Sequence, residues 1–539
     1  MSDSPDFRFY YLSNFEQALD WLRRRYADLL SDEERLFLDQ FALLERDTRA
    51  LLVRLVMRRG PVFRESKIQY EEIGSLERAV QTLADVEWID CDPMLNADAV
   101  GALLPKATLA SHLGLNHSLP KSELCERLIA NYPQPRSASS WQMFGGERVI
   151  HVTVAELCLH LRLLFFGNFH QDWKEFVLTD LGIFKYEPVS THDGRAFQSR
   201  EHIEAFYALF RARRALEEDQ PLQHALELLP TGPLDEPWLC ELRAKLQFSI
   251  AREFERAGQF AQAYDLYAQC DHPGALARSV RVLERQGRVA EALTLAQSDV
   301  CAELIEPERQ LIDRAIRRIA GRSADTAVKK HSIQTINLEL EDWERVEQGA
   351  AISLHAPDEP VFYVENLLIN ALFGLWCWDV IFAPVVGAFF HPFQRGPADL
   401  WSPQFASRRA SDFERAFERL EADAHVLPIL ETYRAKQGIS NPFVFWNGLT
   451  EELIQLALIC IPAAHLKLIF KRMLVDLERN SSGFPDLIQF YVTEKRYRFV
   501  EVKGPGDRLQ DHQRRWMEFF ADHGIPALVC RVARTRAVA

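Results

Sequence analysis

The sequence predicts a mainly α-helical chain of several domains that ends in a small α/β unit. Three observations carry this prediction. Apolar residues recur at helical spacing through most of the 539 residues. Strand-like alternation is concentrated in one stretch after Asp486, where it is interleaved with a single helical stripe. The length leaves room for three or four domains, and 47% hydrophobic residues is enough to fill several cores.

The first unit runs from Phe7 to Tyr132 within a domain expected at residues 1–132. Periodicity predicts helices from Asn14 to Leu30 and from Glu33 to Arg59, leading into Gly60-Pro61-Val62-Phe63-Arg64-Glu65-Ser66-Lys67-Ile68. Leu109 to Leu115 and Lys121 to Leu128 predict two short helices around a turn, spanning about 105–132. This pair is similar to a SAP motif, a helical DNA-backbone binder. Lys106, Lys121 and Arg127 would then contact phosphates, which position a protein without reading bases. A plain helical hairpin would use the same inward leucines.

Pro133-Gln134-Pro135-Arg136-Ser137-Ala138-Ser139-Ser140 has linker composition and no apolar period, so residues 133–199 are expected to be linker and connecting helices. A TPR-like helical domain is expected over 200–335. Phe254 to Tyr267 and Leu283 to Ala296 match each other loosely, with Gly258 and Gly287 at helix–helix turns and Ala263 and Ala292 facing a neighbour. Arg309, Arg314, Arg317, Arg318 and Arg322, with Lys329 and Lys330, form either a solvated face or a phosphate-tracking surface. Ser407-Arg408-Arg409 reads as an exposed basic cap or a phosphate contact.

The chemistry gathers at Pro485-Asp486 and Glu501-Val502-Lys503. Leu487 to Val492, the polar break Thr493-Glu494-Lys495-Arg496, and Tyr497 to Val500 read as strand, turn, strand, which sets Asp486 opposite Glu501 to Lys503. Alternation places Phe499, Glu501 and Lys503 on one face. Phosphodiester hydrolysis needs an attacking hydroxide, charge neutralisation at the phosphate and help for the leaving oxygen, which a carboxylate-bound divalent metal supplies. Hard oxygen ligands suit Mg2+ or Mn2+. Lys503 could orient the water or stabilise the transition state. The same residues also fit an ordinary hairpin with a surface Glu-Lys pair. Asp507 is a candidate N-cap for a helix from Arg508 to Asp522, with Leu509, Gln513, Trp516 and Phe520 on one stripe. Gln513 stands out among its apolar neighbours, either as a boundary residue or as a group reaching the site. Ile525 to Val532 reads as a buried strand. Helix, strand, strand, helix, strand is the core order of α/β restriction-endonuclease-like (PD-(D/E)XK) folds.

Gly483-Phe484-Pro485-Asp486-Leu487, Phe499 to Leu509, Gln513 and Trp516 together resemble the VRR-NUC domain, here expected over 336–539. More closely the chain resembles the Fanconi-associated nuclease 1 family, in its bacterial type without a zinc finger. That resemblance implies a metal-dependent, structure-specific endonuclease that cuts 5′ flaps and acts as a 5′ to 3′ exonuclease in interstrand-crosslink repair. It also implies a metal set of Asp486, Glu501, the Val502 carbonyl and Glu365, with Lys503 and Gln513 catalytic. By periodicity Glu365 belongs to an otherwise apolar helix, where an unpaired carboxylate would be costly, or else is a helix-boundary glutamate facing water. A Holliday-junction-type resolvase working as a dimer and a non-catalytic helical-repeat scaffold are the competing readings.

A net charge of −14 argues against a nucleic-acid partner only as a sum, since local patches decide binding. The nine cysteines form no C-x-x-C pair, so neither structural zinc nor a disulfide framework is expected. No stretch is long and apolar enough to span a bilayer, and the N-terminus is no signal peptide. These features, with the resemblance, predict a cytoplasmic, nucleoid-associated monomer whose partner is branched or flapped DNA.

Overall fold

Helix dominates the computed structural model, which describes residues 7–180, 182–191, 194–298, 304–319, 333–341, 343–422 and 424–534. The chain divides into two compact units, one of residues up to 183 with 196–203, the other of 184–195 with 204 onward.

In the first unit, helices Tyr10–Arg25, Asp32–Leu43 and Arg46–Val56 pack their apolar faces together. The single helix expected from Glu33 to Arg59 is two helices, because Leu44 and Glu45 adopt extended backbone with ψ of 150° and 151°. Ser31 and Glu34 form a reciprocal capping box that fixes the start of the second helix. An antiparallel sheet places Val149–Val152 between Val62–Arg64 and Ile89–Asp90. Helices Ala97–Leu103, Lys106–Leu113 and Lys121–Asn131 close around buried Leu109, Leu124 and Leu128. The Pro- and Ser-rich segment expected as linker contains a strand, Arg136–Ser137, paired with Met94–Leu95, and Ser139 hydrogen-bonds Asp92 through both its N–H and its hydroxyl.

In the second unit, Pro237–Arg256, Phe260–Ala268, Ala275–Arg285 and Val289–Ala296 form successive helical hairpins. Gly258 and Gly287 both take φ of +76° at the turns, where a side chain would be strained. Arg314 and Arg318, on helix Glu306–Ile319, pair with Asp511 and Glu284, so those two arginines of the basic run are occupied within the unit. Arg322, Lys329 and Lys330 lie outside the described residues. Arg409 is not an exposed cap: it is buried and forked onto Asp399 at 2.9 and 3.0 Å, and Arg408 shares the same carboxylate.

The C-terminal part is built on a five-stranded mixed sheet of β1 (Thr335–Leu340), β2 (Val361–Tyr363), β3 (Leu487–Tyr491), β4 (Arg496–Lys503) and β5 (Ala527–Arg534), in the order β1-β5-β4-β3-β2. β5 runs parallel to β1 and β4, while β3 is antiparallel to β4 and β2. Helix α1 (Val346–Leu354) covers the face carrying Leu487, Val500 and Val502. Helix α3 (Asp511–Asp522) covers the face carrying Phe499 and Val529. With both faces covered, β3 is buried along its whole length. Residues 364–486 form a helical insertion between β2 and β3, beginning with α2 (Leu368–Trp376). Strands β1 and β2 were not anticipated from the sequence.

Among the described residues no single helix is long and apolar enough to cross a membrane. Glu451–Cys460 and Ala463–Val475 reach that hydropathy only together, across a 108° bend, and their apolar residues Ile454, Leu466 and Phe470 are buried in the protein core.

Candidate active site

The β3–β4 hairpin assembles the acidic pair. Its register sets Leu487 against Val500, so Asp486 lies one step further, beside Glu501. The Val502 N–H donates to Asp486 Oδ2 at 2.7 Å, and the Asp486 carbonyl accepts from Val364 N–H at 2.8 Å. Alternation along β4 sends Val500 and Val502 toward α1, and Tyr497, Phe499, Glu501 and Lys503 to the opposite face, as the sequence predicted. Glu501 is fully buried, and Lys503 Nζ approaches its Oε1 at 2.7 Å. Among the described residues no group other than Lys503 bonds the Glu501 carboxylate, which leaves Oε2 without a partner.

Burial raises the Glu501 carboxyl above its ordinary range; Asp486 adds to this, and Lys503 pulls it back. Asp486 is raised mainly by burial too, against the Val502 N–H and Lys503, and with the fields of Glu365 and Glu347 pushing upward. Two adjacent buried carboxylates, one of them with an oxygen left unsatisfied, are an unfavourable arrangement that a cation relieves. Hard oxygen donors of this kind fit Mg2+ or Mn2+. Asp486, Glu501, the Val502 carbonyl and Glu365 would hold such an ion. As the side chains stand, no group of three His, Cys, Asp or Glu among the described residues encloses a metal site. The arrangement is a preassembled pair with a third carboxylate outside it.

That third carboxylate, Glu365, is not on an apolar helix. It lies exposed in the turn between β2 and α2, where the Tyr363 hydroxyl donates to its Oε2 at 2.5 Å. The pairing of Tyr363 with Leu487 draws this turn to the Asp486 end of the hairpin. The next residue, Asn366, takes φ of +51°, which ends the strand and delays the helix. Its Oδ1 accepts from the N–H groups of Gly483 and Phe484 at 2.9 and 3.2 Å. Asn370 Nδ2 donates to the Ser481 carbonyl at 2.8 Å, and Trp516 Nε1 to the Ser482 carbonyl at 3.1 Å. Both asparagines were missed in the sequence; for Asn366, an Asn at a strand–helix junction was the available signal, while Asn370 lies within α2.

Gln513 lies at the start of α3, which begins at Asp511 rather than Arg508, with Gln510 and not Asp507 as N-cap. Gln513 Oε1 accepts from the Gln510 N–H at 2.9 Å in a capping box, a structural use the sequence did not disclose. Next to it, His512 is held below its ordinary pKa by burial and by Arg515, which favours a neutral ring. Gly483 has φ of +88°, and a Cβ there would lie 2.5 Å from His512 Cδ2 and 2.9 Å from its backbone carbon, so only glycine fits. Lys106, Lys121 and Arg127 belong to the first unit and are not part of this cluster. Lys106 Nζ reaches the Ser118 carbonyl at 3.4 Å, Arg127 lies 3.8 Å from Glu123, and Lys121 is exposed.

Comparison with known proteins agrees with this geometry. The family model described as "FAN1, HTH domain" matches residues 9–90, and that described as "VRR-NUC domain" matches residues 421–534. The Fanconi-associated nuclease 1 homolog of Pseudomonas aeruginosa is 45% identical over 537 residues, covering 97% of this chain and 96% of the relative. The Oryza sativa homolog is 24% identical over 608 residues, covering 97% of this chain and 62% of the relative. The crystal structure of paFAN1 bound to 2nt 5′ flap DNA with a gap superposes with a TM-score of 0.93 at 44% identity, covering 100% of both chains. A second paFAN1 structure, with a 1nt 5′ flap, gives the same TM-score and identity over 98% of this chain and 100% of the other. With a VRR-NUC sheet carrying a buried acid pair and a lysine, and a relative of this identity matched along almost its whole length, the chain belongs to the Fanconi-associated nuclease 1 family and is a nuclease.

Proposed function

We propose that this nuclease is a structure-specific endonuclease that cuts 5′ flaps, acts also as a 5′ to 3′ exonuclease, and serves interstrand-crosslink repair. The observation that carries this reading is the buried Asp486–Glu501 pair with Lys503 Nζ 2.7 Å from Glu501, in a chain 44% identical over its length to a protein solved with a 5′ flap. A bound Mg2+ or Mn2+ supplies Lewis-acid polarisation of the scissile phosphate and lowers the pKa of water. Asp486, Glu501, Glu365 and the Val502 carbonyl would hold it. Lys503, largely buried beside Glu501, holds an ammonium where negative charge develops on the phosphate, or orients the attacking water. The Gln513 oxygen is committed to its helix cap, so the amide Nε2 is the atom that would meet water or substrate. The hairpin of Lys106, Lys121 and Arg127 would track the DNA backbone. The large helical additions to a single nuclease domain favour a monomer that holds the branch with its own arms, working on nucleoid DNA in the cytoplasm.

The test is Asp486→Asn assayed with Mg2+ and with Mn2+ on a 5′-flapped duplex and on a four-way junction. We expect cleavage of the flap by the wild type, loss of at least a thousandfold in the variant, and unchanged DNA affinity. Retained cleavage by the variant would remove Asp486 from the site, and a preference for the junction by a dimeric enzyme would favour a resolvase.

A further inference from the structure

Tyr363, the last residue of β2, puts its hydroxyl on the carboxylate that stands outside the acid pair. Core packing does not account for a tyrosine at this position, because the residue is 55% exposed. Strand pairing does fix where its backbone lies. Val361, Phe362 and Tyr363 pair with Gln489, Ile488 and Leu487 of β3, and the bond from the Val364 N–H to the Asp486 carbonyl continues the ladder one step further. Glu365 therefore leaves a backbone tied to Asp486, and its charge reaches both Asp486 and Glu501. Its side chain is long and exposed, and without a partner it would sample many rotamers.

The three carboxylates share one pattern. Asp486 Oδ2 accepts from the Val502 N–H at 2.7 Å, Glu501 Oε1 lies 2.7 Å from Lys503 Nζ, and Glu365 Oε2 accepts from the Tyr363 hydroxyl at 2.5 Å. The second oxygen of each is left open. Among the described residues no donor bonds Asp486 Oδ1 or Glu501 Oε2, and Glu365 Oε1 has only Asn366 Nδ2 at 3.5 Å. A donor on one oxygen fixes the plane of a carboxylate and keeps the other oxygen for an ion.

We infer that Tyr363 is a positioning residue for the metal site: its hydroxyl holds Glu365 by Oε2, so that Oε1 is the oxygen offered to a divalent cation alongside Asp486 and Glu501. The inference rests on the proposed role of Glu365 as a metal donor, and it assigns the group that orients that donor.

The experiment measures Mn2+ binding to the full chain without DNA, from the loss of the free-ion electron paramagnetic resonance signal. The proteins are the wild type, Tyr363→Phe, Glu365→Ala and the double variant. Tyr363→Phe weakens Mn2+ binding roughly tenfold, as removal of a hydrogen bond to a metal ligand does. The double variant binds Mn2+ as weakly as Glu365→Ala and no more, because a hydroxyl that acts through Glu365 has nothing to hold once that carboxylate is gone. On a 5′-flapped duplex, Tyr363→Phe raises the Mn2+ concentration for half-maximal rate by the same factor, with KM for DNA unchanged and kcat restored at saturating Mn2+. The metal-free melting temperature stays at the wild-type value, since the change removes only a hydroxyl from a half-exposed ring. Wild-type Mn2+ affinity in Tyr363→Phe, with Glu365→Ala weakened, overturns the role of Tyr363 and leaves Glu365 as a donor. Unchanged affinity in Glu365→Ala removes Glu365 from the metal set and takes the inference with it. A further loss on adding Tyr363→Phe to Glu365→Ala shows that the hydroxyl acts elsewhere, which also overturns the inference.

Discussion

Asp486 is a buried carboxylate held against a second one, and its substitution should separate stability from catalysis. Burial raises its pKa in the folded state above the unfolded value near 3.9, so the ionised form destabilises the metal-free fold. That cost is absent below about pH 4, grows as pH rises through the folded pKa, and is fully present beyond it. Asp486→Asn keeps an oxygen to accept from Val502 and removes the charge. Chemical denaturation in EDTA at neutral pH should show the variant more stable by on the order of 1–2 kcal/mol, with the advantage vanishing in acid. Asn366 gives a second residue-scale prediction. Removing its Oδ1 orphans the Gly483 and Phe484 N–H groups, at a cost of about 1–3 kcal/mol. Asn366→Gly keeps the left-handed backbone and loses the acceptor, so kcat should fall while DNA affinity holds, and Asn366→Asp should recover part of the loss. Equal kcat in Asn366→Gly and wild type would show that the turn needs only the backbone conformation.

At the scale of elements, the β3–β4 hairpin was legible in the sequence because its alternation is local and its turn is polar. The same was true of α3 and β5, although α3 begins three residues later than its periodicity suggests, since Arg508 to Gln510 run outside the helix. Strand β2 was not legible: three residues have no period of their own, and its existence depends on pairing with β3 across the helical insertion. Strand β1 is a half-exposed edge whose pairing comes from β5 near the C-terminus. The misplacement of Glu365 follows from the missing strand, because without β2 the apolar residues around it read as one helix. Gln513 was singled out for its polarity, and the structure gives that polarity a use in the cap. Gln513→Glu should preserve the cap, while Gln513→Ala should cost about 1 kcal/mol in unfolding measurements. If Gln513→Glu is as stable as wild type but cleaves far more slowly, the side chain acts in the reaction as well as in the helix.

At the scale of the whole molecule, separate stretches of chain are tied together by a few buried polar groups. Glu34, in the first unit, accepts from the Ser31 N–H and from Arg200 at 2.7 Å each, with His160 Nδ1 2.7 Å from its other oxygen. Burial would raise its pKa, but the bonds to His160, Ser31 and Arg200 outweigh it and pull the group down to about 2. Its stabilisation is therefore complete above about pH 4.5 and is lost as pH falls toward 2. Glu34→Gln should lower stability by on the order of 2–4 kcal/mol at pH 7, and the difference should shrink in acid melts. What the sequence determined by itself was the chemistry of the C-terminal unit: an acid, an acid and a lysine brought to one end of a hairpin by period-two alternation, which depends only on neighbours along the chain. Tertiary structure alone decided that Glu365 sits in a turn and that Asn366 holds the approach to Asp486. Those placements depend on pairing and packing between residues far apart in sequence, and no local pattern encodes such contacts.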